Sequence, residues 1–596
     1  MCGYLFYASA ADVISREVFD GCRDLLAHRG PDAAQTVSLR DGRVHMGHRR
    51  LSILDLSDSA NQPMRLGGLW VVYNGEVYNY PDLKRELESR GSIFHTHCDT
   101  EVLLHGYQAW GEDLPNHLVG MFSFCIWDDA KGRLFGARDH AGQKPFFYRC
   151  DRRRLMIASE VKAILPLLST RPKIRRESIK DFFVFDEVPD PYTWYDGIMS
   201  LPPGHSLSVS VGDGVGQPNR RAYWTFRPPE KPLQIRSREA MEHAGDLLER
   251  SVKLHQLADV EVGAFLSGGL DSAGVVALEA SQRQDPVRTF TVGYVDDAGE
   301  IPLARQVAER WRCRHTEALF DRHGMDAAFD RSFDLFDSPF GDASQFPTYE
   351  VSRLAAKGVK VVLTGDGGDE VFGGYWNLGK YMGGPPLRSW RPSDVVNHIR
   401  HHAQLRAEWQ ATLNFGHSPE RSEVVDMWLG PELADLKDYD PMPYYMEHWL
   451  PELDPFRRAQ WLDFKTYLPE VLKKVDRCAM AHSLEARCPM LLPELVEFAF
   501  SLPVEVKNPG GRFKHLYKEW LKSRRLVPLP LFKAPKKGFA VSYTAARHIR
   551  SDESKLRLFQ EVCDAGWFNG NAKQSVNEHW GRLWRFALIS RALMES

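Results

Sequence analysis

The sequence predicts two domains, a β-rich one followed by an α/β one built on a parallel sheet. The chain has 596 residues, more than one hydrophobic core usually supports. Short β-type runs separated by turns fill residues 1 to about 210, as in LWVVYNGEVYNY at 69–80. Further on, apolar runs open into glycine turns and alternate with helical patterns, as at 260–280 and 358–375. Buried strands that alternate with helices are typical of a parallel sheet.

A proline-rich, charged stretch separates the two patterns. It reads RPPEKPLQIRSREA at 227–240 and is the best candidate for a linker. A helical period follows at 241–258, and the chain beyond about residue 380 is again helix-like. We therefore predict a first domain at 2–215 and a second at 236–596.

The overall composition excludes several classes of protein. The net charge is −3, from 76 basic and 79 acidic residues, so nothing indicates a nucleic acid or an anionic membrane as a partner. No apolar run reaches the length of a membrane span, and the first thirty residues do not resemble a signal peptide. The nine cysteines include no CxxC pair, which argues against a disulfide framework or a zinc knuckle. The expected location is the cytoplasm.

The first loop with chemical potential is SGGLDS at 267–272. It follows the apolar run VGAFL and precedes a predicted helix. Two glycines let backbone N–H groups approach an anion, and a helix N-terminus favours negative charge. Asp271 would repel a bare anion, so it indicates a Mg²⁺ that bridges carboxylate and phosphates. Taken alone, however, the stretch would be interpreted as an ordinary glycine turn with a capping serine.

The second loop is LTGDGGDE at 363–370, which holds Asp366, Asp369 and Glu370. It also ends a predicted buried strand, so both loops should meet at the carboxyl edge of one sheet. Acidic glycine loops at a shared edge predict a nucleotide–metal site. The lysines of KAPKKGF at 533–539 could supply neutralising cations, although alone they would be interpreted as a surface cluster.

Cys2 raises a separate hypothesis. Removal of Met1 would give this residue a free α-amine, which can serve as the base for its own thiol, as in N-terminal nucleophile enzymes. Such a nucleophile needs an oxyanion hole, and the asparagine and glycine of NGEVYN at 74–79 would provide one. The plainer interpretation of that motif is a turn with a structural asparagine.

Motifs in one order extend over nearly the whole chain. They are MCG (1–3), HRGPD (28–32), GHRRLSILDLS (47–57), QPM (62–64), NGEVYN (74–79), CDTEV (98–102), ARDHAGQKPFFY (137–148), ASEVKAIL (158–165), PPGH (202–205), FLSGGLDS (265–272), LTGDGGDEVFGGY (363–375), KVDRCAMAHSLEARCPM (474–490) and PKKGF (535–539). With these motifs the chain resembles the asparagine synthetase family, in which a class II glutamine amidotransferase is fused to an ATP-pyrophosphatase-type synthetase.

The resemblance implies a fold for each domain. For the first it implies the αββα sandwich of N-terminal nucleophile (Ntn) hydrolases. For the second it implies a parallel-sheet α/β domain of the ATP-pyrophosphatase type, similar to the adenine nucleotide alpha hydrolases, with a helical tail.

The resemblance also implies roles in the first domain. Cys2 is implied to be the glutaminase nucleophile, with Asn74 and Gly75 as its oxyanion hole. The implied glutamine-binding residues are Arg50 for the α-carboxylate, Asn74, and Glu76 and Asp99 for the α-amine.

In the second domain the resemblance implies an ATP site. The positions implied to bind ATP and pyrophosphate are Phe265, Ser267, Gly268, Gly269, Asp271, Ser272, Val292, Thr364 and Gly365. Asp271 and Asp369 resemble the acids linked to Mg²⁺. Lys536 resembles a lysine that stabilises charge during catalysis, and Asp366 takes a catalytic position often held by glutamate.

The implied reaction uses glutamine, ATP with Mg²⁺, and a carboxylic acid as small-molecule substrates. Glutamine is hydrolysed to ammonia, which passes through an internal tunnel. ATP adenylates the acid, and ammonia then displaces AMP to form the amide. Aspartate is the leading acceptor, and a homodimer is a further expectation.

Two segments depart from the family pattern. The usual CGIxG is here CGYLF, so Tyr4 and Phe6 take normally small positions behind the nucleophile. The usual RxPFLD is RCPMLL, with Leu492 in place of an aspartate. These departures leave the acceptor open.

Three alternatives therefore stay open beside an asparagine synthetase. The same chemistry would serve a different carboxylate in natural-product or polysaccharide biosynthesis. An intramolecular amide-forming cyclase is more remote, because Cys2, Arg50, Asn74 and Asp99 are all present. A binding protein without activity would not need both sets of site residues.

Overall fold

The structure is a computed structural model. It describes residues 2–295, 300–320, 331–375, 378, 419–534, 553–578 and 580–594.

Two six-stranded antiparallel sheets form the first part of the chain. Their strands are β1 (Gly3–Ser9), β2 (Ala33–Leu39), β3 (Val44–Arg50), β4 (Met64–Leu66), β5 (Leu69–Val77), β6 (Gly120–Asp128), β7 (Arg133–Arg138), β8 (Phe147–Cys150), β9 (Arg154–Ala158), β10 (Met199–Ser200), β11 (His205–Ser210) and β12 (Asn219–Ala222). One sheet has the order β10-β8-β9-β1-β3-β2, and the other has the order β12-β11-β7-β6-β5-β4.

The helices pack outside these sheets and around a third one. They are α1 (Arg16–Asp24), α2 (Tyr80–Ser89), α3 (Thr100–Trp110), α4 (Glu177–Phe185), α5 (Ser237–His255), α6 (Leu270–Ser281), α7 (Ile301–Arg310), α8 (Gln345–Ala355), α9 (Gly368–Phe372), α10 (Pro419–Trp428), α11 (Pro443–Met446), α12 (Pro455–Leu462), α13 (Leu468–Met480), α14 (Pro493–Ser501), α15 (Val504–Lys507), α16 (His515–Ser523), α17 (Leu529–Lys533), α18 (Glu553–Asp564), α19 (Gly570–Glu578) and α20 (Trp580–Met594).

The two antiparallel sheets stack face to face. Alternate residues of β1 point to opposite faces, and both faces are buried. Tyr4 and Phe6 pack with Val72 and Trp127 between the sheets. Leu5, in contrast, packs with helix α1 on the outer face. Helices α2 and α3 cover the outer face of the other sheet, so the layers follow the predicted αββα order.

The unusual Tyr4 and Phe6 belong to the core between the sheets. The Tyr4 hydroxyl lies 2.5 Å from the Ser123 hydroxyl, and the rings of Phe6 and Trp127 are 5.8 Å apart. The large residues that follow Cys2 thus fill the sandwich interior.

A five-stranded parallel sheet forms the centre of the second part. Its strands are β13 (Val262–Phe265), β14 (Arg288–Tyr294), β15 (Arg314–Phe320), β16 (Val361–Leu363) and β17 (Glu485–Arg487), in the order β15-β14-β13-β16-β17. β13 and β16 are direct neighbours, with Ala264 opposite Leu363. The two predicted loops therefore leave adjacent strands at the same edge, as expected. Leu492, at the other departure from the family pattern, is buried in the core beside this sheet.

A buried ion network joins the two parts. Arg29 is fully buried, with one nitrogen 2.8 Å from Glu160 and another 3.0 Å from Asp476 on α13. Arg477 lies 3.0 Å from Glu160 and 3.2 Å from Asp337. Because each charge is out of water, each requires its partners.

Within the described ranges, the longest and most apolar helices fall short of what crossing a membrane requires.

We predict that Glu160→Gln destabilises the protein strongly. The substitution leaves Arg29 and Arg477 buried with less compensating charge, and breaking a buried pair in this way costs about 3–5 kcal/mol. Urea unfolding measures the change. The control is Glu242→Gln, which breaks an exposed helical pair with Arg238 and should cost only about 0.3–0.5 kcal/mol. Equal effects of the two substitutions would contradict a structural role for the network.

Candidate functional site

Cys2 stands at the start of β1, beside Asn74 in β5. Its backbone nitrogen donates to Asn74 Oδ1 at 3.0 Å, and its carbonyl accepts from Arg29 Nε at 3.1 Å. Cys2 is half-buried, and burial raises the pKa of its thiol. A thiol that ionises poorly needs a base close to it, and the α-amine that removal of Met1 would free on Cys2 is the candidate.

A hydrogen-bond donor without a partner faces this position. Among the described residues, the side-chain nitrogen Nδ2 of Asn74 is buried and has no hydrogen-bond partner. The backbone of Gly75 has a φ of +153°, and a Cβ there would collide with the Met121 carbonyl oxygen. Nδ2 of Asn74 can therefore donate to an oxygen that develops negative charge.

Besides Asn74, three side chains are implied to bind glutamine, and they differ in how they are paired. Arg50 is buried and donates at 2.8 Å to both Ser57 O and Asn61 Oδ1. Glu76 lies 3.2 Å from Arg487 of β17. The second part of the chain therefore contributes a charge to the wall of this site.

Asp99 is the third of these residues. Its Oδ2 accepts from Tyr73 Oη and from the Val77 nitrogen, both at 2.8 Å. Burial raises the pKa of Asp99 to about 6, so the carboxylate is still mostly ionised at neutral pH.

A second site lies at the carboxyl edge of the parallel sheet. A cavity of about 1190 Å³ opens between the loops that follow β13 and β16. Its volume exceeds the usual range for one small ligand, so it has room for a nucleotide and a second substrate. The ATP-site residues predicted from the sequence that line this cavity are Phe265, Ser267, Gly268, Gly269, Asp271, Ser272, Val292, Thr364, Gly365, Asp366 and Asp369.

Hydrogen bonds between its own residues shape the first loop. The Ser267 nitrogen donates to Ser272 Oγ at 3.0 Å, and the Gly269 nitrogen donates to Ser267 Oγ at 3.1 Å. Gly269 precedes helix α6, so the positive end of the helix dipole faces the cavity. The second loop is close against it, since a Cβ on Gly365 would lie 2.6 Å from the Ser272 nitrogen.

Asp271 and Asp369 face a common cation. The ammonium of Lys514 contacts Asp271 and lies 2.7 Å from Asp369 Oδ1. Two carboxylates that share one cation fit a Mg²⁺, which prefers one or two carboxylates together with phosphate oxygens. Across the described ranges, no three His, Cys, Asp or Glu side chains form a metal-binding group, so phosphate oxygens would have to complete the coordination.

Asp366, on the second loop, also lines the cavity. Burial raises the pKa of its carboxyl, while Lys474 opposes the shift. Lys536, predicted to stabilise charge, lies outside the described residues.

The sequence did not single out several residues that the structure places at these sites. Lys474 on α13 donates to Asp342 at 2.8 Å and to Ser344 at 2.7 Å within the cavity. The other two are Lys514, which contacts Asp271 and Asp369, and Arg487, which lies beside Glu76. Lys474 and Arg487 lie inside the motif at 474–490, which was the available signal, whereas Lys514 lies outside every motif.

Comparison with known proteins finds a matching family model for each half of the chain. The glutamine amidotransferase domain model matches residues 1–224, and the asparagine synthase model matches residues 243–586. The chain belongs to the asparagine synthase family. Membership confirms the predicted two-domain fold class and an amide-forming enzyme of the amidotransferase type, and it implies use of ATP. The domain boundaries at 2–215 and 236–596 stay predictions.

Individual members of the asparagine synthase family are similar over most of their length. Asparagine synthetase [glutamine-hydrolyzing] 1 of Bacillus subtilis is 30% identical, and the match covers 91% of this chain and 87% of the relative. A putative asparagine synthetase [glutamine-hydrolyzing] of Mycobacterium bovis is 33% identical with the same coverage. Amidase chry2 of Gibberella zeae is 28% identical, and the match covers 84% of this chain and 81% of the amidase.

We predict that Gly365→Ala weakens ATP binding. The added Cβ would push the second loop away from Ser272, and overpacking of this kind costs about 1–3 kcal/mol, or about 5- to 150-fold in Kd. Calorimetric titration with ATP measures the change. Gly21→Ala on helix α1 is the control, because its Cβ would meet nothing within 4 Å. Unchanged affinity in Gly365→Ala would contradict the placement of the nucleotide between the loops.

Proposed function

We propose that this chain is a glutamine-dependent amidotransferase that forms an amide on a carboxylic acid at the expense of ATP. Its first domain, 2–215, would release ammonia from glutamine, and its second, 236–596, would activate the acid. The observation that carries the proposal is the unpartnered, buried Nδ2 of Asn74 beside Cys2, in a chain that also holds the loop-lined cavity.

The glutaminase half follows from the contacts of Cys2. With Met1 removed, the nitrogen held by Asn74 Oδ1 becomes a free amine that takes the thiol proton. The sulfur then attacks the side-chain amide carbon of glutamine. Nδ2 of Asn74 and the Gly75 N–H stabilise the oxyanion. Ammonia leaves, and water hydrolyses the thioester to glutamate.

Glutamine would be recognised by its α-substituents. Asp99 and Glu76 are the carboxyl groups that would hold the α-amine. Arg50 would hold the α-carboxylate, which requires it to exchange some of its present contacts with the loop at 54–61.

In the second domain, the acceptor carboxylate would attack the α-phosphorus of ATP and expel pyrophosphate. The loop from Ser267 to Ser272 suits the pyrophosphate, and Lys536 would stabilise the charge. Bound Mg²⁺, held by Asp271 and Asp369, would neutralise the leaving pyrophosphate. Asp366, on the second loop, would take the catalytic position that the resemblance implies. Ammonia then attacks the acyl carbon, and AMP leaves.

Aspartate is the first acceptor to test, and another carboxylate is the second candidate. The resemblance to asparagine synthetases supports aspartate. The likeness to a fungal amidase and the size of the cavity support a different acid. A cyclase fits less well, because Cys2, Arg50, Asn74 and Asp99 are all present.

A cytoplasmic location and a homodimer are further parts of the proposal. All nine cysteines are free thiols, in keeping with a reducing compartment. Gel filtration with light scattering would measure the oligomeric state.

The test is an assay of the full chain with ATP, Mg²⁺, glutamine and a panel of acids that begins with aspartate. We expect AMP, pyrophosphate and one amide in equal amounts. Asparagine from aspartate would exclude the other acids as the main acceptor. Glutamine hydrolysis with no AMP for any acid would contradict amide formation.

Cys2→Ala separates the two halves of the reaction. We expect glutamine-dependent synthesis to fall on the order of 10⁴-fold or more, while ammonium-dependent synthesis persists, because the ATP cavity is untouched. Cys150→Ala is the control, since Cys150 is also half-buried but lies in β8 away from Asn74. Unchanged glutamine turnover in Cys2→Ala would contradict the nucleophile.

A further inference from the structure

The ammonium of Lys514 occupies the point between the two acids to which we assign the metal. It contacts Asp271 and lies 2.7 Å from Asp369 Oδ1. Lys514 is only 6% exposed, so its charge is compensated mainly by these carboxylates. A cation this well buried is not a surface lysine that reached the site by chance.

The backbone around Lys514 is built to bring its side chain there. Lys514 has a left-handed conformation, with φ +51° and ψ +34°, directly before helix α16. Lysine rarely adopts this conformation. Its nitrogen donates to the Gly373 carbonyl at 3.3 Å. At Gly374, a Cβ would collide with both Lys514 Cε and Asp369 Oδ1, so only glycine leaves room for the pair.

The two carboxylates of Asp271 and Asp369 need a cation beside them. Asp271 and Asp369 come from different loops, and unpaired they would repel each other across the cavity. Two carboxylates alone are a weak site for Mg²⁺, which is usually bound with the help of substrate phosphates. A free Mg²⁺ would also have to displace a cation that is already in contact with both acids.

We propose that Lys514 stands in for Mg²⁺ while the nucleotide is absent, and that its ammonium moves to the phosphates when Mg²⁺ enters with ATP. The lysine keeps the two loops in register and excludes the free metal. On exchange, the acids gain a divalent ion and the lysine gains an anionic partner, so no charge is left uncompensated. The inference rests on the proposed function, because it requires ATP as substrate.

The consequence is an order of binding. Metal alone should not bind, whereas metal with nucleotide should. Removal of the ammonium takes away a cation that competes with the free ion, so the affinity of the two acids for that ion should rise.

Binding of Mn²⁺ without nucleotide tests the proposal, because the free ion has an EPR signal that bound ion loses. We expect the full-length wild-type chain to leave millimolar Mn²⁺ free. Lys514→Met should bind Mn²⁺ at least about tenfold more tightly, since a cation in contact with both ligands is gone. Mg²⁺ should compete with Mn²⁺ for the site. It should also raise the Tm of Lys514→Met but not that of the wild type.

Two further variants complete the test. Lys514→Asn suits the left-handed backbone and replaces Lys514→Met if the latter does not fold. Lys522→Met, on the same helix but exposed and paired with Glu519, should behave as the wild type does. Equal Mn²⁺ binding by the wild type and both Lys514 variants would overturn the proposal.

The nucleotide measurement is separate. If Mg²⁺ and ATP together fail to bind the wild type, the proposed function is contradicted, whatever the Mn²⁺ result. If they bind and the Lys514 variants gain no affinity for Mn²⁺, only the role of Lys514 is wrong.

Discussion

The guanidinium of Arg29 is the contact on which the arrangement of the two sites depends. One side chain, fully buried, donates to the carbonyl of Cys2 at 3.1 Å and pairs with Glu160 and with Asp476 on helix α13. The same helix presents Lys474 to the cavity at the edge of the parallel sheet. Cys2, directly before strand β1, is therefore fixed to the helix that lines the second site. Neither site can shift without disturbing buried charges, which are costly to leave unpaired.

Charge pairing between distant segments recurs at each site. Arg487 of the parallel sheet contributes to the wall around Glu76, and Lys514 reaches back to Asp271 on the first loop. In each case a cation from one segment neutralises the negative charge of a carboxylate. A substrate or a metal would otherwise have to neutralise that charge. We infer that the protein keeps its sites in shape between turnovers by such internal pairs, and that substrates enter by exchanging with them.

The sequence alone predicted the features that depend on local pattern. The loops at Ser267 and Gly365 were predicted at one sheet edge because apolar runs ending in glycine turns mark parallel strands, and β13 and β16 are indeed neighbours. The αββα order was implied only by resemblance. The pairs Arg29–Asp476 and Lys514–Asp271 could not be predicted from local pattern. Their members lie 447 and 243 residues apart in the sequence, respectively. For Tyr4 and Phe6, the sequence pattern could not predict whether the side chains crowd the glutamine site or fill the core between the two sheets.

The central claim is that nitrogen from glutamine at Cys2 reaches an acid activated in the cavity of the same chain. The most direct measurement uses glutamine labelled with ¹⁵N in its side-chain amide, together with ATP, the preferred acid and an excess of unlabelled ammonium. Mass spectrometry then reads the isotope in the amide product. We expect most of the product to carry ¹⁵N, since the two sites are fixed to each other. Product that carries ¹⁵N only in proportion to its share of the ammonia in solution would contradict the claim.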